Sequence, residues 1–174
     1  MTEPSIIAVI ANNEAQDSQA LLSRMAAGWR ENGWRVAGVL AEDHEGEGAC
    51  SAGFLRDIGT GARFSIQLGA APAGTSCHLD ARGVEGVCDV LLPQVGNADI
   101  VVLSKFGKLE AMRQGLWRAF ASAAAAGIPL LTTVSPRHMA AWNGWAPAAE
   151  WLEAEEASLE RWRRKAQSVR RCGP

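Results

Sequence analysis

The sequence has little of what would place it in several familiar functional classes. It has no basic excess, because 17 Lys and Arg oppose 19 Asp and Glu for a net charge of −2. Nucleic-acid-binding proteins usually carry a strong basic excess, so this balance argues against a nucleic-acid partner. No apolar run reaches the roughly 18–20 residues that span a bilayer. A signal peptide has a basic segment before its apolar stretch, and no such segment precedes the apolar residues 6–11. We therefore expect a globular protein of the cytoplasm with no membrane partner.

Cysteine and histidine are sparse, with four and three residues among 174. The thiols form no C-x-x-C pair and most simply remain free: Cys50, Cys77, Cys88 and Cys172. A zinc site that used Cys77, His78 and a distant ligand stays open as an alternative, although the spacing matches no standard zinc pattern. His78 and His138 belong to no Ser/His/Asp or Cys/His arrangement that spacing reveals, and a structural or surface role is favoured for both. The sequence thus predicts no metal ligand and no catalytic residue.

Apolar, β-branched runs alternate with helical patterns along much of the chain. Four runs predict buried strands, at residues 6–11, 34–40, 99–103 and 130–134. Helical patterns follow the first and third of these, at residues 17–31 and 111–126. This order predicts a three-layer α/β fold with a mainly parallel sheet and right-handed crossovers.

The middle and the end of the chain depart from this alternation. Two short β patterns around Gly59-Thr60-Gly61 predict an inserted β-hairpin at about residues 53–69, and a helical pattern follows at 81–95. A long C-terminal helix is predicted at about residues 147–171, inside a single domain of residues 1–174. Its mostly apolar stripe, with seven tryptophans in the whole chain and no tyrosine, indicates either core packing or a surface for a homodimer or another partner.

Residues 11–18 occupy the place of a phosphate-binding loop, between a strand and a helix. The pattern of such loops is G-x-x-x-x-G-K-[ST], and only Ser18 fits it, because Ala11 and Gln16 replace the glycines and Asp17 replaces the lysine. The glycines let backbone amides wrap phosphate oxygens, and Asp17 reverses the sign of the lysine, so tight triphosphate binding in the usual mode is not expected. Asp17 or Ser18 most simply caps the helix. The alternative is that Asp17 contacts a cation or a ligand hydroxyl.

The strongest candidate for a site follows the third predicted strand, where Ile100–Leu103 leads directly into polar residues and then into a helical pattern. Ligands of open α/β sheets bind outside the carboxyl ends of the strands. The predicted ligand-binding residues at these ends are Asn12, Asn13, Asp17, Ser18, Ser104, Lys105, Gly107, Lys108, Glu110 and Arg137. The competing interpretation is that Lys105 and Lys108 are solvated loop lysines and that Glu110 is an acid in the first turn of a helix.

These residues carry a resemblance to a bacterial domain family of unknown function, often encoded near molybdate-transport genes. It covers residues 6 to about 152 and rests on VVLSKFGKLEAMRQGL, Gly127–Val134, Arg63–Gln67 and Cys77–Asp80. The family's loop is of the type N-R-F-G-K-x-E. This chain has Ser104 and Lys105 in place of Asn and Arg, and Arg113 in place of a glycine.

That family is similar in turn to the small P-loop enzymes known as cancer-related nucleoside triphosphatases, which carry D-E-I-G-x-M-E at the same strand end. Here Gly107 and Glu110 match, but Ser104 and Lys105 replace the acidic pair that serves Mg²⁺ and water activation. The resemblance implies a sheet of P-loop nucleoside triphosphatase type that has given up standard hydrolysis. Through the genomic association it also implies molybdate or tungstate as ligand.

We therefore expect a non-catalytic protein on a degenerate P-loop fold that binds a small oxyanion or has a regulatory role, with Lys105, Lys108 and Arg137 supplying positive charge. The link to molybdenum metabolism is what the resemblance implies. The sequence does not identify a cofactor. Two alternatives stay open. One is a divergent nucleoside triphosphatase or phosphotransferase with residual nucleotide binding. The other is an interaction module that docks through its tryptophan-rich C-terminal region.

Overall fold

The computed structural model describes residues 5–11, 17–43, 52–66 and 80–172. Within them the strands are β1 (Ile7–Ala11), β2 (Val36–Asp43), β3 (Ala52–Asp57), β4 (Arg63–Ser65), β5 (Ile100–Leu103), β6 (Leu130–Val134) and β7 (Glu150–Leu152). The helices are α1 (Ser18–Glu31), α2 (Ala81–Val95), α3 (Lys108–Ala111), α4 (Trp117–Ala125), α5 (Met139–Trp145) and α6 (Glu156–Cys172), with a 3₁₀ turn at Pro136–His138.

The described strands form one sheet in the order β4-β3-β2-β5-β6-β1-β7. The five strands from β2 to β7 in this order run parallel, while β3 and β4 add an antiparallel edge beside β2. Every residue of β5 and β6 is buried. Continuous apolar runs are what a parallel strand covered on both faces requires, which is why the sequence revealed these strands.

Helices cover both faces of the sheet, and successive strand residues divide between two apolar layers. Ala8 and Ile10 pack in the layer that includes α1 and α6, while Val9 packs in the layer that includes α2, α4 and α5. The predicted three-layer α/β architecture is thereby confirmed.

The inserted hairpin is present as β3 and β4, whose register pairs Leu55 with Phe64. The turn closes with Asp57 N–H donating to the Ala62 carbonyl at 2.8 Å, and Gly61 takes φ 77°, which a glycine adopts without strain. Residues 67–69 of the predicted hairpin lie outside the described part of the chain.

Two helix predictions are wrong in their boundaries. The predicted helix at 111–126 is split into α3 and α4, because the chain turns at Arg113 (φ 59°) and Gly115 (φ 62°). The C-terminal helix begins at Glu156, not near residue 147. Residues 150–152, which precede this helix, form the short strand β7 and pair with the free edge of β1. Trp151 therefore lies on an edge strand, and it is 41% exposed.

Three further findings concern membrane-spanning helices, metal-binding side chains and cysteines. No helix in the described ranges is both long and apolar enough to cross a bilayer. The same residues hold no group of three or more His, Cys, Asp and Glu side chains placed to bind a metal ion. Cys88 and Cys172 are free thiols, whereas Cys50, Cys77 and His78 lie outside the described ranges.

Candidate functional site at the carboxyl ends of the parallel strands

Three strand ends lie side by side at one edge of the sheet. Ala11 pairs with Val134, and Val134 also forms a bridge to Phe106, just beyond β5. From β1 the chain continues into α1 on one face, and from β6 it continues into α5 on the other. Adjacent strands whose connections leave to opposite faces open a crevice between them, which is where ligands of such sheets bind.

The first turn of α1 forms one wall of this crevice. The Asp17 carboxylate accepts a hydrogen bond from Ala20 N–H at 2.9 Å, so the capping role anticipated for it is present. Ser18 is only 2% exposed, and its hydroxyl has no hydrogen-bond partner among the described residues. A buried hydroxyl without a partner is costly, so Ser18 is an exception among the described polar side chains at this strand end. The predicted site residues Asn12 and Asn13 lie outside the described ranges.

Gln19, which the sequence analysis missed, ties α1 to the neighbouring strand ends. Its side-chain N–H donates to the Ser104 carbonyl at 2.8 Å, and its carbonyl oxygen accepts from Ala41 N–H at 3.1 Å. The Ser104 carbonyl also accepts from the Thr133 hydroxyl at 2.8 Å. The carbonyl of buried Ser104 thus links the end of β5 to β6 and to α1. A glutamine on a helical pattern gives no sequence signal for such a bridge.

Two of the three predicted cationic residues lie at the rim of the crevice. Lys105, Lys108 and Arg137 are exposed, and none of them forms an ion pair with a described residue. Phe106 N–H donates to the Thr133 carbonyl at 2.8 Å, which fixes Lys105 beside the end of β6. Since Arg137 follows β6 by three residues, the structure brings Lys105 and Arg137 to the same strand ends. No such contact places Lys108.

Glu110 has a different environment from the other predicted site residues. It is 5% exposed, and its two carboxylate oxygens accept hydrogen bonds from Gly107 N–H and Leu116 N–H, both at 3.0 Å. Burial raises the pKa of the Glu110 carboxyl, against the opposing effects of these hydrogen bonds and of Lys105. These two hydrogen bonds indicate that Glu110 stabilises the conformation of residues 107–116. A ligand contact by Glu110 stays a prediction.

A second polar pair follows β6. The Ser135 hydroxyl lies 3.0 Å from His138 Nδ1. Partial burial holds the pKa of His138 below its ordinary value, and the positive charges of Lys105 and Arg137 act in the same direction. The imidazole therefore shares its surroundings with both cations of the crevice rim.

An aromatic cluster surrounds Phe106, just beyond β5. The Phe106 ring packs edge-on against Phe120 and Trp142, with centroids 5.7 and 5.3 Å apart, and stacks on Trp145 at 6.2 Å. Phe106 and Trp142 are fully buried or nearly so. Because Phe106 is adjacent to Lys105, this packing holds the backbone that presents the lysine.

Comparisons with known proteins agree with this architecture. A family model described as a protein of unknown function, DUF2478, matches residues 7–162. The molybdenum import ATP-binding protein ModC 2 of Bradyrhizobium diazoefficiens is 29% identical over 169 residues, which are 95% of this chain and 19% of the relative. The chain thus spans about a fifth of that relative's length.

A solved structure has the same fold. The solution structure of a human cancer-related nucleoside triphosphatase matches with a TM-score of 0.65, covering 95% of this chain and 96% of its own. The sequence identity is 16%, so this likeness establishes the fold alone. It confirms the prediction of a sheet of P-loop nucleoside triphosphatase type.

Proposed function

Because the chain belongs to the DUF2478 family of proteins of unknown function, we propose a function from its own crevice: it binds a small tetrahedral oxyanion, of the class of molybdate and tungstate, without hydrolysing a nucleotide. The observation that carries the proposal is the meeting of Lys105 and Arg137 at the strand ends, with no acidic partner among the described residues. Charge-assisted hydrogen bonds from such groups are the strong interactions that hold small oxyanions.

The environment of α1 favours a small anion over a triphosphate. Asp17 caps the helix where a phosphate-binding loop carries its lysine, so a long polyphosphate would meet a carboxylate. Like charges about 4 Å apart repel by roughly 4 kcal/mol at an effective dielectric constant of 20.

The assignment to molybdate and tungstate has separate support. The curated relative is named as a molybdenum import ATP-binding protein, and this chain aligns with about a fifth of it. The relative's name suggests molybdenum as the element. Molybdenum and tungsten occur in water as tetrahedral dianions, and a dianion is the kind of ligand that the cationic residues of the crevice would bind.

The test is a binding panel on the purified chain, by thermal shift and by calorimetry. The ligands are molybdate, tungstate, sulfate, phosphate, ADP and ATP, with and without Mg²⁺. A ligand at 100 times its Kd adds about 2.7 kcal/mol of stability. For a domain of this size that corresponds to a rise in Tm of roughly 5–11 °C. We expect this rise with molybdate or tungstate.

Variants locate the site. Lys105→Ala and Arg137→Ala should each weaken molybdate binding by about 10- to 100-fold, as expected for the loss of one charged hydrogen bond. The matched control is Arg171→Ala. Arg171 is exposed in the last turn of α6, where the neighbouring Arg170 reaches the Ala98 carbonyl at the opposite end of β5. Unchanged affinity in the Lys105, Lys108 and Arg137 variants would exclude this crevice.

The panel also separates the competing functions. A rise in Tm with ATP or ADP alone, and Mg²⁺-dependent turnover, would favour a divergent nucleoside triphosphatase. A flat panel together with a concentration-dependent mass would favour an interaction module. Either result would overturn the oxyanion proposal.

A further inference from the structure

His138 stands out among the polar groups of the crevice because it is presented by the same short turn as Arg137. The 3₁₀ turn Pro136–His138 follows β6 directly, and Ser135 lies between the strand and the turn. Lys105 reaches this place from the other side, held by the pairing of Phe106 with β6. Two cations and one imidazole thus converge from two different strand ends.

Only one nitrogen of the imidazole is engaged within the described residues. The Ser135 hydroxyl occupies Nδ1 at 3.0 Å, and no described group hydrogen-bonds Nε2. A hydroxyl can donate to an unprotonated Nδ1 and can accept from a protonated one. In the imidazolium form both ring nitrogens carry protons, so Ser135 Oγ accepts from Nδ1–H and orients the ring while Nε2–H is free to donate. Where Ser135 donates to Nδ1, the neutral ring also carries its proton on Nε2.

We infer that His138 is itself a ligand-binding residue of the crevice, donating a hydrogen bond from Nε2–H to the bound oxyanion while Ser135 positions the ring. This inference rests on the proposed oxyanion function and adds to it a residue whose charge depends on pH. It also explains why an imidazole is placed beside two cations: a bound dianion offsets the repulsion among the three groups.

Binding is then linked to protonation. Without an anion, Lys105 and Arg137 disfavour the imidazolium form of His138. A bound dianion stabilises that form, so the pKa of His138 rises on binding and the complex takes up a proton. Affinity should therefore increase as the pH falls through the interval between the free and the bound pKa. A rise of one pKa unit corresponds to tenfold in Kd.

The other charged groups at this end of the sheet do not supply the same linkage. Asp17 is engaged in capping α1, and the Glu110 carboxyl, whose pKa burial raises, is engaged by two backbone amides. Among the described residues of the crevice, His138 is the titratable group that we expect to follow anion binding, because imidazole ordinarily titrates near neutral pH and this one lies beside both cations.

The experiment measures the Kd of sodium molybdate by calorimetry from pH 6.0 to 8.0, in pairs of buffers with different ionisation enthalpies. For the wild-type chain we expect the Kd to rise several-fold to tenfold between the two ends, with fractional proton uptake near pH 7. His138→Gln keeps an amide donor near the position of Nε2 but does not titrate. It should bind with a Kd that is independent of pH and close to the wild-type value at pH 8.

Matched variants separate binding from positioning. His44→Gln and His78→Gln, which replace the other two histidines one at a time, should leave the pH dependence unchanged. Ser135→Ala should weaken binding at every pH while keeping the dependence, because the ring still titrates but is no longer held.

Each failure has its own signature. A His138→Gln chain that keeps the full pH dependence, or a wild-type Kd that is flat over this range, overturns the role of His138 and leaves oxyanion binding intact. A wild-type chain that binds neither molybdate, tungstate nor sulfate overturns the proposed function together with this inference.

Discussion

At the scale of single residues, the loop after β5 depends on one buried carboxylate. Glu110 accepts from Gly107 N–H and Leu116 N–H, and it thereby fixes both ends of a segment that includes two left-handed residues, Arg113 and Gly115. A buried backbone N–H without a partner costs roughly 1–3 kcal/mol. The conformation of residues 107–116 therefore depends on one carboxyl group that lies inside the protein.

We expect Glu110→Ala to lower the free energy of unfolding by about 2–4 kcal/mol, because it leaves both amides without acceptors while removing a carboxylate that burial already disfavours. Urea denaturation followed by circular dichroism measures this. Glu31→Ala is the control, since Glu31 is the exposed last residue of α1 and its loss should change stability by less than about 0.5 kcal/mol. Equal effects of the two substitutions would show that Glu110 does not hold the loop.

At the scale of elements, the sequence predicted what depends on periodicity and missed what depends on tertiary partners. The buried strands β5 and β6 and the helix α2 follow from their own apolar patterns. The strand β7 has three residues and forms because β1 leaves an edge open, which no local pattern reveals. The split between α3 and α4 likewise follows from the contact of Glu110 with Leu116, six residues away.

The same distinction applies to the candidate site. Lys105 and Arg137 could be predicted because polar residues that follow buried strands mark the ligand edge of a parallel sheet. Gln19 could not, since its role consists of hydrogen bonds to the Ser104 carbonyl and from Ala41 N–H that only the folded arrangement brings together.

The close approach of β2 to β5 depends on a glycine. A Cβ on Gly38 would lie 1.8 Å from the Val102 carbonyl oxygen, and Gly38 has φ 140°. We expect Gly38→Ala to destabilise the protein by about 3 kcal/mol or more, because backbone atoms of a central strand cannot move aside. Gly86→Ala is the matched control. Gly86 lies within α2 with no atom within 4 Å of its added Cβ, so the change should stabilise by about 0.5–1 kcal/mol.

Chemical denaturation of both glycine variants decides the matter. We expect Gly38→Ala to lower the free energy of unfolding and Gly86→Ala to raise it, although both substitutions add one methyl group. A Gly38→Ala chain as stable as the wild type would mean that β2 and β5 do not approach this closely.

At the scale of the whole molecule, α6 completes one of the two apolar layers. Leu159, Trp162 and Ala166 are fully buried against the sheet and α1, and Trp162 Nε1–H donates to the Ser5 carbonyl at 3.0 Å. Trp29 Nε1–H donates to Glu160 at 2.9 Å, and the hydrogen bond of Glu160 with Arg163 is the main reason that the pKa of Glu160 is lowered to about 2. On α6 the predicted apolar stripe thus serves core packing through these three residues, as one of its two interpretations predicted.

Removing α6 should therefore unfold the whole domain. Burial of one large apolar side chain contributes about 1.5–3 kcal/mol, and a domain of this kind is stable by only about 5–15 kcal/mol in total. A chain that ends at residue 155 should show no cooperative thermal transition and should bind a hydrophobic dye, as measured by calorimetry and fluorescence. A chain that ends at Arg170 loses only exposed side chains among the described residues, so its Tm should stay within about 2 °C of the full chain. A cooperative transition in the shorter chain would show that the sheet and the opposite helical layer form a core without α6.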